Sequence, residues 1–288
     1  MKYLYKYGYL NQHSEELFVA PRVWFSSPSE LNDPFECRPW NKFDGSLDQI
    51  ADVAQKMLQK QCPDLTSNMA AAEAAYLVLE GRHRDLQVQK LVRQVSARWL
   101  LRGTLNSAHL DSWNAYKQGV LRLCQLNIMH YLVVGSVSNV GLFCLSSVCD
   151  NILMWSHYTD QHHGYCVEFS SANDDYMFGA AEPVSYSPEY PVVEFFNASI
   201  DKQTQLTFLT KHEGWAYERE WRIIDTKRGA GFRPYPAKLF KGVIFGLRMP
   251  ESDRARIREW VGDRGHPVTF YEYLQDDRRF AIEVKEVE

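Results

Sequence analysis

Trp215-Ala-Tyr-Glu-Arg-Glu-Trp-Arg-Ile-Ile-Asp225 is the stretch on which both the fold and the chemistry of this chain turn. Tyr, Trp and Ile favour strands, although Glu218 and Glu220 individually disfavour one. A strand sends successive side chains to opposite faces. Glu218, Glu220 and Arg222 then share one face, and Tyr217, Arg219, Trp221 and Ile223 the other. Two carboxylates and a guanidinium in one row mark either a solvated, ion-paired edge or a site that needs charge. The flanking Trp215 and Trp221 favour the site, because they wall the row with large apolar groups.

The 288 residues suffice for one large domain, or for one domain carrying a sizeable insertion. A hydrophobic share of 45% and a charged share of 24% are those of a globular chain rather than a disordered one. A formal net charge of −4 gives no general attraction to nucleic acid or anionic membranes, so such a partner would need a local basic patch. The six cysteines form no CxxC pair, which argues against a zinc site and for reduced thiols in a cytoplasmic protein. The opening Met1-Lys-Tyr-Leu-Tyr-Lys-Tyr lacks the apolar core of a signal peptide, and no apolar run reaches membrane-spanning length.

Along the chain, residues 3–9 alternate as a strand, with Tyr3, Tyr5, Tyr7 and Tyr9 on one face and Leu4 and Lys6 on the other. A short helix capped by Ser14 follows and ends before Pro21. Residues 22–27 read as a second strand, ended by Pro28. Asn32-Asp33-Pro34 is a turn signal, and Asn32, Asp33 and Glu36 make that turn a candidate pocket loop. Residues 47–132 have helical periodicity. The basic residues within 82–102 read as a solvated face, with nucleic-acid contact as the alternative.

Strands are expected at 141–146, 165–170, 184–186, 192–196, 242–246, 268–273 and 280–284. Helices are expected at 152–158, 201–211 and 251–261. The class is α+β, a single domain over 1–288 with a mostly antiparallel sheet core and a helical insertion at 47–132.

Four polar clusters can carry chemistry: Lys6 among the first-strand tyrosines, the Asn32–Glu36 turn, Trp155-Ser-His-Tyr158, and the Glu218/Glu220/Arg222 row. A lone His157 on a helix is more often a capping or core histidine than a catalyst. His162 and His163 lack a second spaced cluster, so no metal site is expected. There is no phosphate loop, no dinucleotide fingerprint and no nucleophile elbow.

The set Leu-Tyr-Lys-Tyr (4–7), Trp-Phe-Ser-Ser-Pro (24–28), Asn-Asp-Pro-Phe-Glu (32–36), Met-Trp-Ser-His-Tyr (154–158), Gly-Tyr-Cys-Val-Glu-Phe (164–169), Tyr-Glu-Arg-Glu-Trp-Arg (217–222) and Val-Ile-Phe-Gly (243–246) resembles one family. It is the bacterial domain-of-unknown-function family numbered twenty-nine seventy-one, whose members are often found among mobile and phage-defence genes. A second resemblance, at the level of fold, is to ADP-ribosyltransferases: strand, short helix, an aromatic-Ser-Ser strand with a polar turn, and a glutamate on a late strand.

That likeness implies a transferase, as a toxin or defence effector, which consumes NAD as substrate and modifies a macromolecular acceptor, protein or nucleic acid. It implies Glu220, Glu218, Arg222, His157 and Tyr158 as catalytic candidates. Tyr5, Lys6, Tyr7, Ser26, Ser27, Asn32 and Asp33 would hold the dinucleotide, Lys6 standing where those enzymes carry a first-strand His or Arg. Two other readings are a Mg²⁺ nuclease built on Asp33, Glu36, Glu218 and Glu220, and a non-catalytic sensor in a defence system.

Overall fold

The computed structural model describes residues 3–12, 14–42, 49, 137, 139–171, 177–262 and 264–287. In chain order the strands begin with β1 (Tyr3–Gly8), β2 (Arg22–Phe25), β3 (Trp40–Lys42), β4 (Gly141–Ser146), β5 (Tyr165–Ser170), β6 (Glu182–Pro183) and β7 (Ser185–Ser187). They continue with β8 (Val192–Glu194), β9 (Thr210–His212), β10 (Glu220–Asp225), β11 (Gly231–Pro234), β12 (Phe240–Phe245), β13 (Thr269–Gln275) and β14 (Ile282–Val287). The helices are α1 (Ser14–Phe18), α2 (Ile152–Tyr158), α3 (Ile200–Phe208) and α4 (Glu251–Gly262).

The chain forms two compact units, one of Met1–Pro39, Ser138–Pro191 and Thr204–Glu288, the other of Trp40–Val137 and Val192–Gln203. In the second unit, β3 and β8 pair in parallel. The helices expected within 47–132 lie outside the described residues.

The first unit is built on an eight-stranded sheet, ordered β14-β13-β12-β5-β1-β4-β10-β6. Only β12 and β13 pair in parallel within it, so the α+β class with a mostly antiparallel core holds. Strand periodicity sorts its two faces. Leu4, Phe143, Leu145, Val167, Phe169, Ile223, Val243 and Phe245 enter one core with Phe18 of α1 and Ile257 and Val261 of α4. The residues between them, Tyr7, Cys166 and Ile244, meet Met154 and Trp155 of α2 on the other face.

Asn151 starts α2, its side-chain oxygen accepting from Leu153 N at 2.9 Å and Met154 N at 3.1 Å. The turn after α2 comes so close to β1 that a Cβ on Gly164 would lie 2.1 Å from Gly8 O, so glycine is required there.

Several boundaries differ from the expected ones, each for a local reason. The 215–225 stretch is not one strand: Glu213–Glu218 winds as a 3-10 turn, Arg219 adopts φ 44° and ψ 51°, and β10 begins at Glu220. The helix expected at 201–211 stops at Phe208, and Lys211 lies instead in β9, paired with Tyr186 of β7. The 22–27 strand pairs with β11 rather than within the large sheet, to which it is linked by the Ser26↔Leu142 bridge and by Phe25 stacked on Phe143 of β4. Ser14 does not cap α1 from outside; as its first residue, it accepts from Asn11 N and donates to Tyr9 O.

Candidate functional site

The register of three adjacent strands builds the floor of the site. Ser146 of β4 pairs with Tyr5 of β1 on one side and with Glu220 of β10 on the other. Glu220 and Arg222 alternate with Ile223, whose side chain enters the opposite core, so both point to the α2 face. Glu218 reaches the same place by another route. It ends the 3-10 turn, its carbonyl accepts from Ser146 Oγ at 2.6 Å, and the left-handed Arg219 returns the chain to β10.

Three carboxylates and two cations close into one buried cluster. Lys211 Nζ lies 2.5 Å from Glu218 Oε2, 3.0 Å from Glu36 Oε1 and 3.2 Å from Glu220 Oε2. Arg222 grips Glu220 with Nε at 2.7 Å and Nη2 at 2.9 Å, its Nη2 also bonds Glu36, and its Nη1 donates to Phe208 O at 2.9 Å. Arg222 and Lys211 are 1% and 3% exposed at the side chain, so their charges are held in a weakly screening interior.

The two glutamates flanking Arg219 are driven apart electrostatically. Burial raises the Glu220 carboxyl, but the Arg222 charge and hydrogen bonds, with Lys211, outweigh it and hold Glu220 at about 2. Burial keeps Glu218 above the usual carboxylate range, against the opposing pull of Lys211, with the Glu220 charge pushing the same way as burial. Paired carboxyls with separated pKa values are suited to distinct acid–base and electrostatic roles.

A hydrogen-bond chain joins this cluster to the surface. Tyr158 Oη donates to Glu218 Oε1 at 2.5 Å and accepts from Asn32 Nδ2, which is exposed, at 3.1 Å. Burial and the neighbouring Glu218 charge raise the Tyr158 hydroxyl far above the ordinary phenol range, so Tyr158 is a donor, not an anion.

Above the cluster lies a cavity of about 230 Å³, with walls from Tyr5, Tyr7, Trp24, Ser26, Asn32 and Tyr158. Burial raises both first-strand phenols; Tyr5 Oη donates to Glu168 at 3.1 Å and Tyr7 Oη to Val148 O at 3.0 Å. Lys6 also lines the cavity, but its ammonium donates to Cys144 O at 3.0 Å and lies over the Phe143 ring. The cavity therefore brings together Glu218, Glu220, Arg222, Tyr158, Tyr5, Lys6, Tyr7, Ser26 and Asn32.

Three sequence candidates lie elsewhere. His157 is exposed on α2, its ring 6.4 Å from that of Tyr217. Ser27 bonds Ser29 at 2.8 Å. Asp33 accepts from Phe35 N at 2.9 Å and lines a different cavity. The residue that sequence reasoning missed is Lys211, placed in an expected helix; no spacing in the sequence marks it as a partner of Glu36.

Among the described residues, no group of three His, Cys, Asp or Glu side chains is arranged to hold a metal ion, and no helix is long and apolar enough to cross a membrane. No curated protein and no solved structure matches the chain. Residues 154–223, which run from α2 through Lys211 to the Glu218–Arg222 row, match the family described as Protein of unknown function (DUF2971).

Proposed function

We propose that this protein transfers ADP-ribose from NAD to a macromolecular acceptor. The observation that carries the reading is Glu220: a carboxylate held at about 2, fixed by a two-point Arg222 contact, on the floor of an aromatic-walled cavity. Breaking the bond between nicotinamide and ribose sends its electron pair to the pyridinium nitrogen and leaves positive charge on the sugar. A fixed anion beside that sugar stabilises the transition state without reorganising. The acceptor nucleophile then bonds the ribose carbon and gives its proton to Glu218, whose raised pKa makes it the stronger base of the pair.

At about 230 Å³ the cavity suits one aromatic ring and a sugar, with Tyr5, Tyr7 and Trp24 offering faces for stacking. The rest of the dinucleotide would extend past the exposed Trp24 and Asn32. Free Cys37, Cys144, Cys149 and Cys166 suit the reducing cytoplasm, where NAD is available. A role as a toxin or defence effector is part of the same reading. The Mg²⁺ nuclease reading is weaker, because Lys211 and Arg222 already donate to the carboxylate oxygens a metal would need, and Asp33 lies outside the cluster.

The test is nicotinamide release from NAD, with lysate proteins and nucleic acid supplied as acceptors. Glu220→Gln should keep the fold and NAD binding while lowering turnover by roughly two to three orders of magnitude. Wild-type protein that neither binds NAD nor releases nicotinamide would end the reading.

A further inference from the structure

Glu36 and Lys211 line two cavities, not one. The second, of about 510 Å³, is within the size range of ordinary ligand pockets. Its walls include the rings of Phe35, Tyr190 and Trp215, beside the His212 imidazole. Phe35 is 65% exposed and Tyr190 is 49% exposed, so two large rings stand in water around this cavity.

The charge of the lining is as distinctive as its shape. Asp33, Glu36 and Glu189 line it together with Lys211, whose ammonium is already shared among three glutamates, and His212, whose Nδ1 accepts from Gly214 N at 3.1 Å. Asp33 and Glu36 have partners, whereas the Glu189 carboxylate and the Tyr190 hydroxyl make no side-chain hydrogen bond or ion pair among the described residues. Such a lining disfavours phosphate-bearing ligands by like-charge repulsion. It favours a flat cation: aromatic faces attract positive charge, and a planar N–H fork stacks on rings while meeting a carboxylate at two points.

We propose that this cavity binds a small organic cation of the amidinium or guanidinium class, stacked on Tyr190 and Phe35 and paired with Glu189. The site does not depend on NAD chemistry. Through the shared Glu36–Lys211 wall, however, its occupant would bear directly on the cluster beneath the first cavity.

The probes are benzamidinium and its neutral isostere benzamide, titrated calorimetrically into the full chain at pH 7. Benzamidinium is expected to bind at least about 10-fold more tightly, the scale of one desolvated cation–aromatic contact with a charged partner. Glu189→Gln should erase most of that preference by weakening benzamidinium alone, while Tyr190→Ala weakens both probes. Both residues are exposed, and an unchanged unfolding midpoint verifies the fold. Trp24→Ala, in the first cavity, should leave the benzamidinium affinity unchanged, and because benzamide is an isostere of nicotinamide the two probes are also compared in this variant. Equal binding of the two probes in Trp24→Ala, no binding of benzamidinium at about 5 mM, or benzamidinium binding lost in Trp24→Ala would each overturn the assignment. Tighter binding of a blocked arginine tripeptide than of benzamidinium would overturn the choice of a small free ligand in favour of a protein segment.

Discussion

Lys211 Nζ stands 2.5 Å from Glu218 Oε2, with both side chains 3% exposed, and the same ammonium serves Glu36 and Glu220. One cation therefore holds three carboxylates that would otherwise repel in a dry interior. Removing one partner of a buried ion pair leaves uncompensated charge and costs about 3–5 kcal/mol. Lys211→Met is expected to lose stability on that scale in urea unfolding at pH 7. A loss below about 1 kcal/mol would mean that the carboxylates are neutralised without Lys211.

The two glutamates should contribute to stability with opposite pH dependence. Glu220 falls from 4.5 to about 2 on folding, so its stabilisation is present above pH 4.5 and is lost as pH falls through about 2. That shift corresponds to roughly 3 kcal/mol, which Glu220→Gln should remove at neutral pH but not in strong acid. Glu218 is raised above 4.5, so its contribution is present below 4.5 and is lost as pH rises through its folded value. Relative to wild type, Glu218→Gln should therefore gain stability as pH rises from 4.5 through the folded Glu218 value. A variant-minus-wild-type difference that stays flat across this range would refute the raised value.

Much of the sheet was legible in the sequence because its strands alternate cleanly. Tyr165–Ser170 sends Val167 and Phe169 into one core and Cys166 into the other, and the periodicity marks its limits. The Glu218/Glu220/Arg222 grouping was legible too, though for a partly wrong reason. Glu218 shares the site not through strand alternation but because a left-handed residue joins a 3-10 turn to β10. Lys211 and Glu36 were not legible as partners. They lie 175 positions apart and meet only through tertiary packing, which no local period encodes.

The turn at Arg219 stores strain. Its φ of 44° is uncommon for a residue with a Cβ, and a β-branched side chain tolerates it least. Arg219 is exposed, so its own side chain contributes little burial. Arg219→Gly should leave stability within about 0.5 kcal/mol of wild type. Arg219→Val should cost about 1–2 kcal/mol and displace Glu218 from Tyr158. Equal stability of the glycine and valine variants would show that the turn relaxes.

The hydrogen bond from Tyr158 Oη to Glu218 Oε1 gives the proposed base a testable titration. That bond favours the ionised carboxylate and so opposes the rise that burial causes. In Tyr158→Phe the Glu218 pKa should climb further. A base must be ionised to accept a proton, so the acid limb of kcat/KM for nicotinamide release should move to higher pH. Glu218→Gln should abolish that limb and lower turnover by about 10²–10⁴-fold. Carbon NMR of the Glu218 carboxyl gives the same shift without relying on activity. An acid limb and a carboxyl titration that both stay in place in Tyr158→Phe would separate Glu218 from the proton transfer and leave Glu220 as the cavity's functional carboxylate.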